Sequence, residues 1–138
     1  MEFTRRETLA LGAGAALMTV LPMRAHAALD DLIAEFTGGA DIGDAGIELT
    51  TPEIAENGNT VPIEVSAPGA VAIAVYAAGN PTPPVATFKF GELAASQTAS
   101  TRIRLAGTQD VVAIAQLADG SFARAANTVK VTIGGCGG

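Results

Sequence analysis

From Ile47 onward the hydrophobic residues of this chain fall on alternate positions. Turn residues interrupt the alternation at Glu56-Asn57-Gly58-Asn59, Pro68-Gly69, Gly79-Asn80-Pro81, Gly107 and Asp119-Gly120. A side-chain period of two belongs to strands with one buried and one wet face. Many such segments separated by Gly, Pro, Asn and Asp build an antiparallel sandwich more readily than any helical fold. The fold class expected is therefore all-β: an immunoglobulin-like β-sandwich with a short N-terminal helix and a flexible C-terminal glycine arm. At 138 residues, the chain has room for one such domain.

The faces can be assigned from the alternation. Val61, Ile63 and Val65 point one way and Glu64 and Ser66 the other; Phe88 and Phe90 flank Lys89; Ile103 and Leu105 alternate with Arg102 and Arg104; Val129, Val131 and Ile133 alternate with Thr128, Lys130 and Thr132. Pro62 has no N–H to give to a ladder, which predicts a sheet edge or a bulge there. Two segments break the pattern. Residues 70–77 carry Val71, Ile73 and Val75 on one face but Ala72, Ala74 and Tyr76 on the other, and residues 111–117 are almost as apolar on both sides. Two readings fit: central strands with small outward residues, or a sheet face that packs on a partner subunit.

Ahead of the strands, Leu29, Leu32, Ile33 and Phe36 recur at helical spacing, with Asp30 and Asp31 expected near the helix start and Gly38-Gly39 as its stop. The first 27 residues read as an export signal. Thr4-Arg5-Arg6 is a twin-arginine run, residues 9–23 are weakly apolar and rich in Ala and Gly, and Ala25-His26-Ala27 is a small-residue cleavage pattern. An apolar stretch of about 15 residues is shorter than the roughly 20 that a spanning helix needs, which favours a cleaved signal over a retained anchor. The expected organisation is residues 1–27 as twin-arginine signal, 28–133 as sandwich and 134–138 as arm, with a periplasmic destination.

Removing residues 1–27 leaves 5 basic side chains (the 8 of the full chain less Arg5, Arg6 and Arg24) and 12 acidic ones (14 less Glu2 and Glu7), a net charge of about −7. With aromatics at only 4%, the chain lacks the basic, aromatic surface of a nucleic-acid binder, and the acidic balance disfavours anionic membranes. His26 is the single histidine and leaves with the signal. Within the mature chain this excludes a Ser-His or Cys-His nucleophile pair and any histidine-containing metal site. No acidic pair is spaced for general acid and base work, and no dinucleotide or phosphate-binding loop is present, so no catalytic residue, metal ligand or cofactor is assigned.

What remains is the terminal Gly134-Gly135-Cys136-Gly137-Gly138, which holds the only cysteine. A single thiol in an exported protein has three uses: an intermolecular disulfide, an adventitious exposed sulfur, or a reactive group with a purpose. Flanking glycines favour the last, because a slim tether can carry the sulfur about 10 Å beyond Ile133 into a narrow site on another protein. With no base of its own, the thiol must be activated by whatever receives it.

Taken together, the Thr-Arg-Arg signal, Phe36-Thr37-Gly38-Gly39, Ala55-Glu56-Asn57-Gly58-Asn59 followed by Val61-Pro62, Asn80-Pro81, Thr101-Arg102-Ile103-Arg104-Leu105-Ala106 and the terminal Gly-Gly-Cys-Gly-Gly resemble the SoxY family, sulfur-carrier subunits of periplasmic thiosulfate oxidation. The resemblance implies that Cys136 is the covalent attachment site and that Gly134, Gly135, Gly137 and Gly138 form its swinging arm. It also implies a heterodimer with a SoxZ-type subunit and cyclic visits to three enzymes. These are the SoxAX cytochrome complex, the SoxB hydrolase and, where present, a sulfane dehydrogenase. Two other classes compete: a secreted sandwich cross-linked through Cys136, and a sulfurtransferase acting alone. The missing histidine argues against the latter.

Overall fold

The computed structural model describes residues 24–135. Arg5, Arg6, Cys136, Gly137 and Gly138 lie outside the described residues. One helix, α1 (Arg24–Thr37), precedes nine strands: β1 (Ile42–Gly43), β2 (Glu48–Thr50), β3 (Ile54–Asn57), β4 (Val61–Ser66), β5 (Ala70–Ala77), β6 (Pro84–Lys89), β7 (Thr98–Ile103), β8 (Gln109–Leu117) and β9 (Phe122–Ile133). The large sheet runs β1-β9-β8-β5-β6, with β3 added beside β9, and the small sheet runs β2-β4-β7.

The inward residues are those the alternation marks. Val61, Ile63 and Val65 of β4, Ile73 and Val75 of β5, Val111, Ala113 and Ala115 of β8, and Val129 of β9 form one buried cluster between the sheets. In register, Ile73 faces Ala115 and Val75 faces Ala113. Pairing large with small lets β5 and β8 share one layer without overpacking.

The double-sided apolarity of β5 and β8 has an internal cause. Their outer face is covered by the chain's own helix: Leu29 and Ile33 pack with Ala74, Tyr76, Val112, Ile114 and Phe122, and Leu32 and Phe36 close the margin. Phe36 meets Phe122 edge-on, with ring centroids 6.0 Å apart. The large sheet is thus the middle of three layers, and these two strands need no partner subunit to explain them. Burying Leu29 and Ile33 contributes about 2 kcal/mol each. Burial, with Glu35 adding repulsion, pushes the Tyr76 phenol above its ordinary range, so the ring stays neutral there.

The helix departs from expectation at one end only. It starts at Arg24 with no acidic residue in its first turn, so Asp30 and Asp31 are mid-helix. Cleavage after Ala27 would trim only the first turn and leave the packing face in place. The stop is as expected. Gly38 and Gly39 take φ of +67° and +80°, and the Gly39 N–H reaches back to the Ala34 carbonyl at 3.1 Å, closing the helix with a Schellman turn.

Three strand expectations need correction. β4 is the central strand of the small sheet, so Pro62 is not on an edge strand. The pairing of β2 stops at Thr50 with Glu64, however, two residues short of Pro62, so the missing N–H is tolerated at a locally open stretch. Phe90 and Leu105 fall just beyond β6 and β7, although Leu105 is fully buried. Ile133 continues the inward face of Val129 and Val131 by parity, yet it is 66% exposed.

Candidate functional site

Strand β9 changes neighbours in mid-course. Its antiparallel pairing with β8 ends at Val129, opposite Gln109, and from Lys130 it runs parallel to β3, with Ala55 beside Val131 and Asn57 beside Ile133. Two bonds secure the change: the Lys130 N–H to the Glu53 carbonyl at 2.9 Å and the Val131 N–H to the Thr108 hydroxyl at 3.0 Å. The end of β9 is thereby carried beyond the core to a place where two loops converge.

At that point three backbone segments are stitched together without side chains. The Gly58 N–H donates to the Ile133 carbonyl at 2.7 Å, the Leu105 N–H to the Gly58 carbonyl at 2.8 Å, and the Gly135 N–H to the Leu105 carbonyl at 2.8 Å. The turn carrying Gly58 is shaped by Asn57, whose Oδ1 accepts the Asn59 N–H at 3.0 Å. A Cβ at Gly58 would collide with the Leu105 carbonyl and stand 2.8 Å from the Gly135 nitrogen, and one at Gly135 would stand 2.8 Å from the Gly58 carbonyl. One at Gly134 would strike the Ala106 carbonyl. Apart from Val131 Cγ1, which would lie 2.9 Å from a Cβ at Gly58, the obstructing atoms are backbone, which cannot swing aside.

This revises the expected arm. The sequence suggested that Gly134 and Gly135 are free tether; the structure bonds Gly135 to the Leu105 carbonyl and sets Gly134 against the Ala106 carbonyl, and glycine is required there for close approach. The clamp ends at Gly135, one peptide bond before Cys136, which is outside the described residues. The residues 104–107 that hold the clamp are braced from behind by the buried amides of Asn80 and Gln109. Sequence reasoning marked Asn80 and Gly58 as turn residues and as parts of the motifs behind the family resemblance, and passed over Gln109, since nothing local distinguishes a glutamine at the start of a strand.

Around the clamp the charged side chains are solvated. Arg102 and Arg104 are exposed, and Arg102 reaches the Thr60 hydroxyl at 3.4 Å. No group of three or more His, Cys, Asp or Glu side chains that could hold a metal occurs among the described residues, and no described helix is long and apolar enough to cross a membrane. An open groove of about 630 Å³ lies on the outer face of the small sheet near Thr50, Pro62 and Arg102. The polar groups of that face bond to one another, as in Ser100 to Glu64 at 2.9 Å and Ser66 with Thr98 at 3.0 Å.

A family model described as sulfur oxidation protein SoxY matches residues 33–136. The solved structure of the sulfur carrier protein SoxY from Chlorobium limicola f. thiosulfatophilum is 38% identical, with a TM-score of 0.66 over 76% of this chain and 96% of that one. A superoxide reductase (neelaredoxin) from Ignicoccus hospitalis, 20% identical, superposes with a TM-score of 0.53 over 62% of this chain and 79% of its own. A hypothetical protein from Pyrococcus horikoshii, 14% identical, does so at 0.52 over 69% and 99%. At such identities the last two share the fold alone. None of the curated proteins compared matches the sequence.

Proposed function

The chain belongs to the SoxY family, and from that premise we propose that it is a covalent sulfur carrier of periplasmic thiosulfate oxidation, with intermediates held on Cys136. One observation carries the reading: the family match extends to residue 136 and so takes in the only cysteine of the chain. The solved relative named a sulfur carrier protein supports it.

The chemistry asked of this chain is small. Joining thiosulfate to the thiol forms one S–S bond, releases the thiol proton and passes two electrons to an acceptor, for which the resemblance supplies the c-type cytochrome complex. Hydrolysis of the resulting thiosulfonate breaks the bond to the terminal sulfone group, which leaves as sulfate, and a persulfide remains on the carrier. The chain contributes no base, metal or redox centre to these steps. Its contribution is placement. Gly135, the residue before Cys136, is bonded to the Leu105 carbonyl beside the turn at Gly58, so the segment that leads to the thiol starts from a fixed base. A receiving enzyme must therefore meet those loops as well as the terminal residues.

Export by the twin-arginine route and association with a SoxZ-type subunit belong to the same proposal. The apolar faces of β5 and β8, which α1 covers, lend the second no support, so it rests on family membership. The decisive experiment incubates the mature protein with thiosulfate and the cytochrome complex and maps adducts by mass spectrometry. A thiosulfonate on the C-terminal peptide, absent in Cys136→Ser with folding intact, is expected. An adduct elsewhere, or turnover surviving without the Cys136 sulfur, overturns the reading. Native protein running almost wholly as a disulfide dimer without added sulfur would favour a cross-linked structural role.

A further inference from the structure

Asn80 and Gln109 are 7% and 9% exposed, and their amides form one network at the end of the sandwich that carries the clamp. Asn80 Nδ2 donates to the Arg104 carbonyl at 2.8 Å, while its Oδ1 accepts the Ala106 N–H at 2.9 Å and Gln109 Nε2 at 2.8 Å. Gln109 Nε2 also donates to the Gly107 carbonyl at 3.0 Å, and Gln109 Oε1 accepts the Gly79 N–H at 2.9 Å. The orientation of Asn80 is determined by its partners, since a flipped amide would set oxygen against the Arg104 carbonyl and nitrogen against the Ala106 N–H.

Every partner of the pair, apart from Gly79, is backbone of residues 104–107, a stretch without regular secondary structure of its own. The same stretch supplies the Leu105 carbonyl that binds the Gly135 N–H and the Ala106 carbonyl that borders Gly134. Buried amides are a poor way to gain stability, because apolar residues of similar shape are often as good. They are a good way to impose one conformation on an irregular loop, since each lost bond strands a buried polar group.

We propose that Asn80 and Gln109 are positioning residues for the Cys136 thiol: by setting the 104–107 loop they set the direction in which the chain leaves the sandwich at Gly135. This rests on the carrier reading, and it adds that delivery of the sulfur depends on side chains that never touch it. The route runs from the β5–β6 turn, through Asn80 and Gln109, to Leu105 and Ala106, and then to the clamped glycines.

Amide hydrogen exchange on the mature protein tests the clamp without any mutation. The Gly135 N–H should be protected in the wild type, together with those of Leu105 and Ala106; exchange of Gly135 at the free-peptide rate overturns the proposal. Gln109→Met, which keeps length and volume, and Asn80→Ala should each cut Gly135 protection about tenfold or more. With the cytochrome complex and thiosulfate, the same variants should raise the KM for the carrier about tenfold while iodoacetamide alkylates Cys136 at an unchanged rate. Asn127→Ala removes a comparable side-chain bond, to the Leu49 carbonyl, and should lower Tm without altering Gly135 exchange or KM. If Asn80→Ala does not fold, Gln109→Met and the wild-type exchange still decide. Wild-type loading that is unaffected in folded variants refutes positioning and spares the carrier reading. Altered Gly135 exchange in a protein that never takes up thiosulfate refutes the carrier reading and spares the clamp.

Discussion

Val129 and Ile133 lie four residues apart on the same strand and on the same side of it. Val129 is fully buried, and Ile133 is 66% exposed. The first half of β9 is paired with β8, with Phe122 under α1, Ala123 and Val129 buried, and Arg124, Ala126 and Thr128 exposed on its outer face. The second half has left β8, lies beside β3 and projects past the core, where backbone bonds through Gly58, Leu105 and Gly135 hold it. The two halves thus depend on different physics: apolar burial in the first, close approach of main chain in the second. Such a division suits the proposed carrier role, since Gly135, the residue before Cys136, is held by a main-chain bond.

The sharpest way to break this comparison is substitution within each half. Val129→Ala should cost about 2 kcal/mol in chemical unfolding, since it empties volume in a close-packed layer. A loss below half of that would mean the core relaxes around the site. Gly58→Ala should cost about 1 to 2 kcal/mol although it only adds a methyl, because the new atom meets backbone and must part the Leu105 and Gly135 bonds. Its signature is lost protection of the Gly135 amide, which Val129→Ala leaves intact, and equal exchange in the two variants would erase the distinction. Ile133→Ala, on the inward parity but outside the core, should cost less than about 0.5 kcal/mol; a loss matching Val129→Ala would show that the end of β9 is packed after all.

The smallest expected effect concerns the turn that feeds the first half. The Ser121 hydroxyl at 2.6 Å, and then its backbone N–H at 2.9 Å, hold the Asp119 carboxyl below the usual carboxylate range. A folded-state pKa below the unfolded one means that folding favours the ionised form. That contribution is present above the unfolded value and is lost as pH falls through the folded one. Because the group is fully solvated, its influence on Tm should be slight. Titration by NMR should show Asp119 moving back up toward the ordinary carboxylate range in Ser121→Ala, and an unchanged titration would discount the turn bonds.

Much of the molecule could be read from local pattern. Alternation located β4, β5, β8 and β9 and most of their inward residues, and i, i+3, i+4, i+7 spacing with paired glycines located α1, because these signals depend only on which way successive side chains point. The residue on which the proposed chemistry rests stood out in the same way: a single cysteine between glycines, with the one histidine far from it at residue 26. What alternation cannot carry is the identity of the neighbour. It placed Ile133 with Val129 because parity knows nothing of where a layer ends, and it left the outer face of β5 and β8 between small outward residues and a partner subunit, where the chain's own helix lies.

The sequence by itself therefore determined the sandwich, the terminal helix and the residue on which function is proposed to rest, since each follows from residue type and spacing along the chain. Only the tertiary structure decided what the glycines are for. Gly58 and Gly135 are 77 positions apart, and the requirement for no Cβ at either arises from a backbone meeting that exists only once β3, the 104–107 loop and the end of β9 are brought together. The same holds for Asn80 and Gln109, whose amides have meaning only as a pair. Close approach and buried polar satisfaction are relations between distant segments, and no local pattern encodes them.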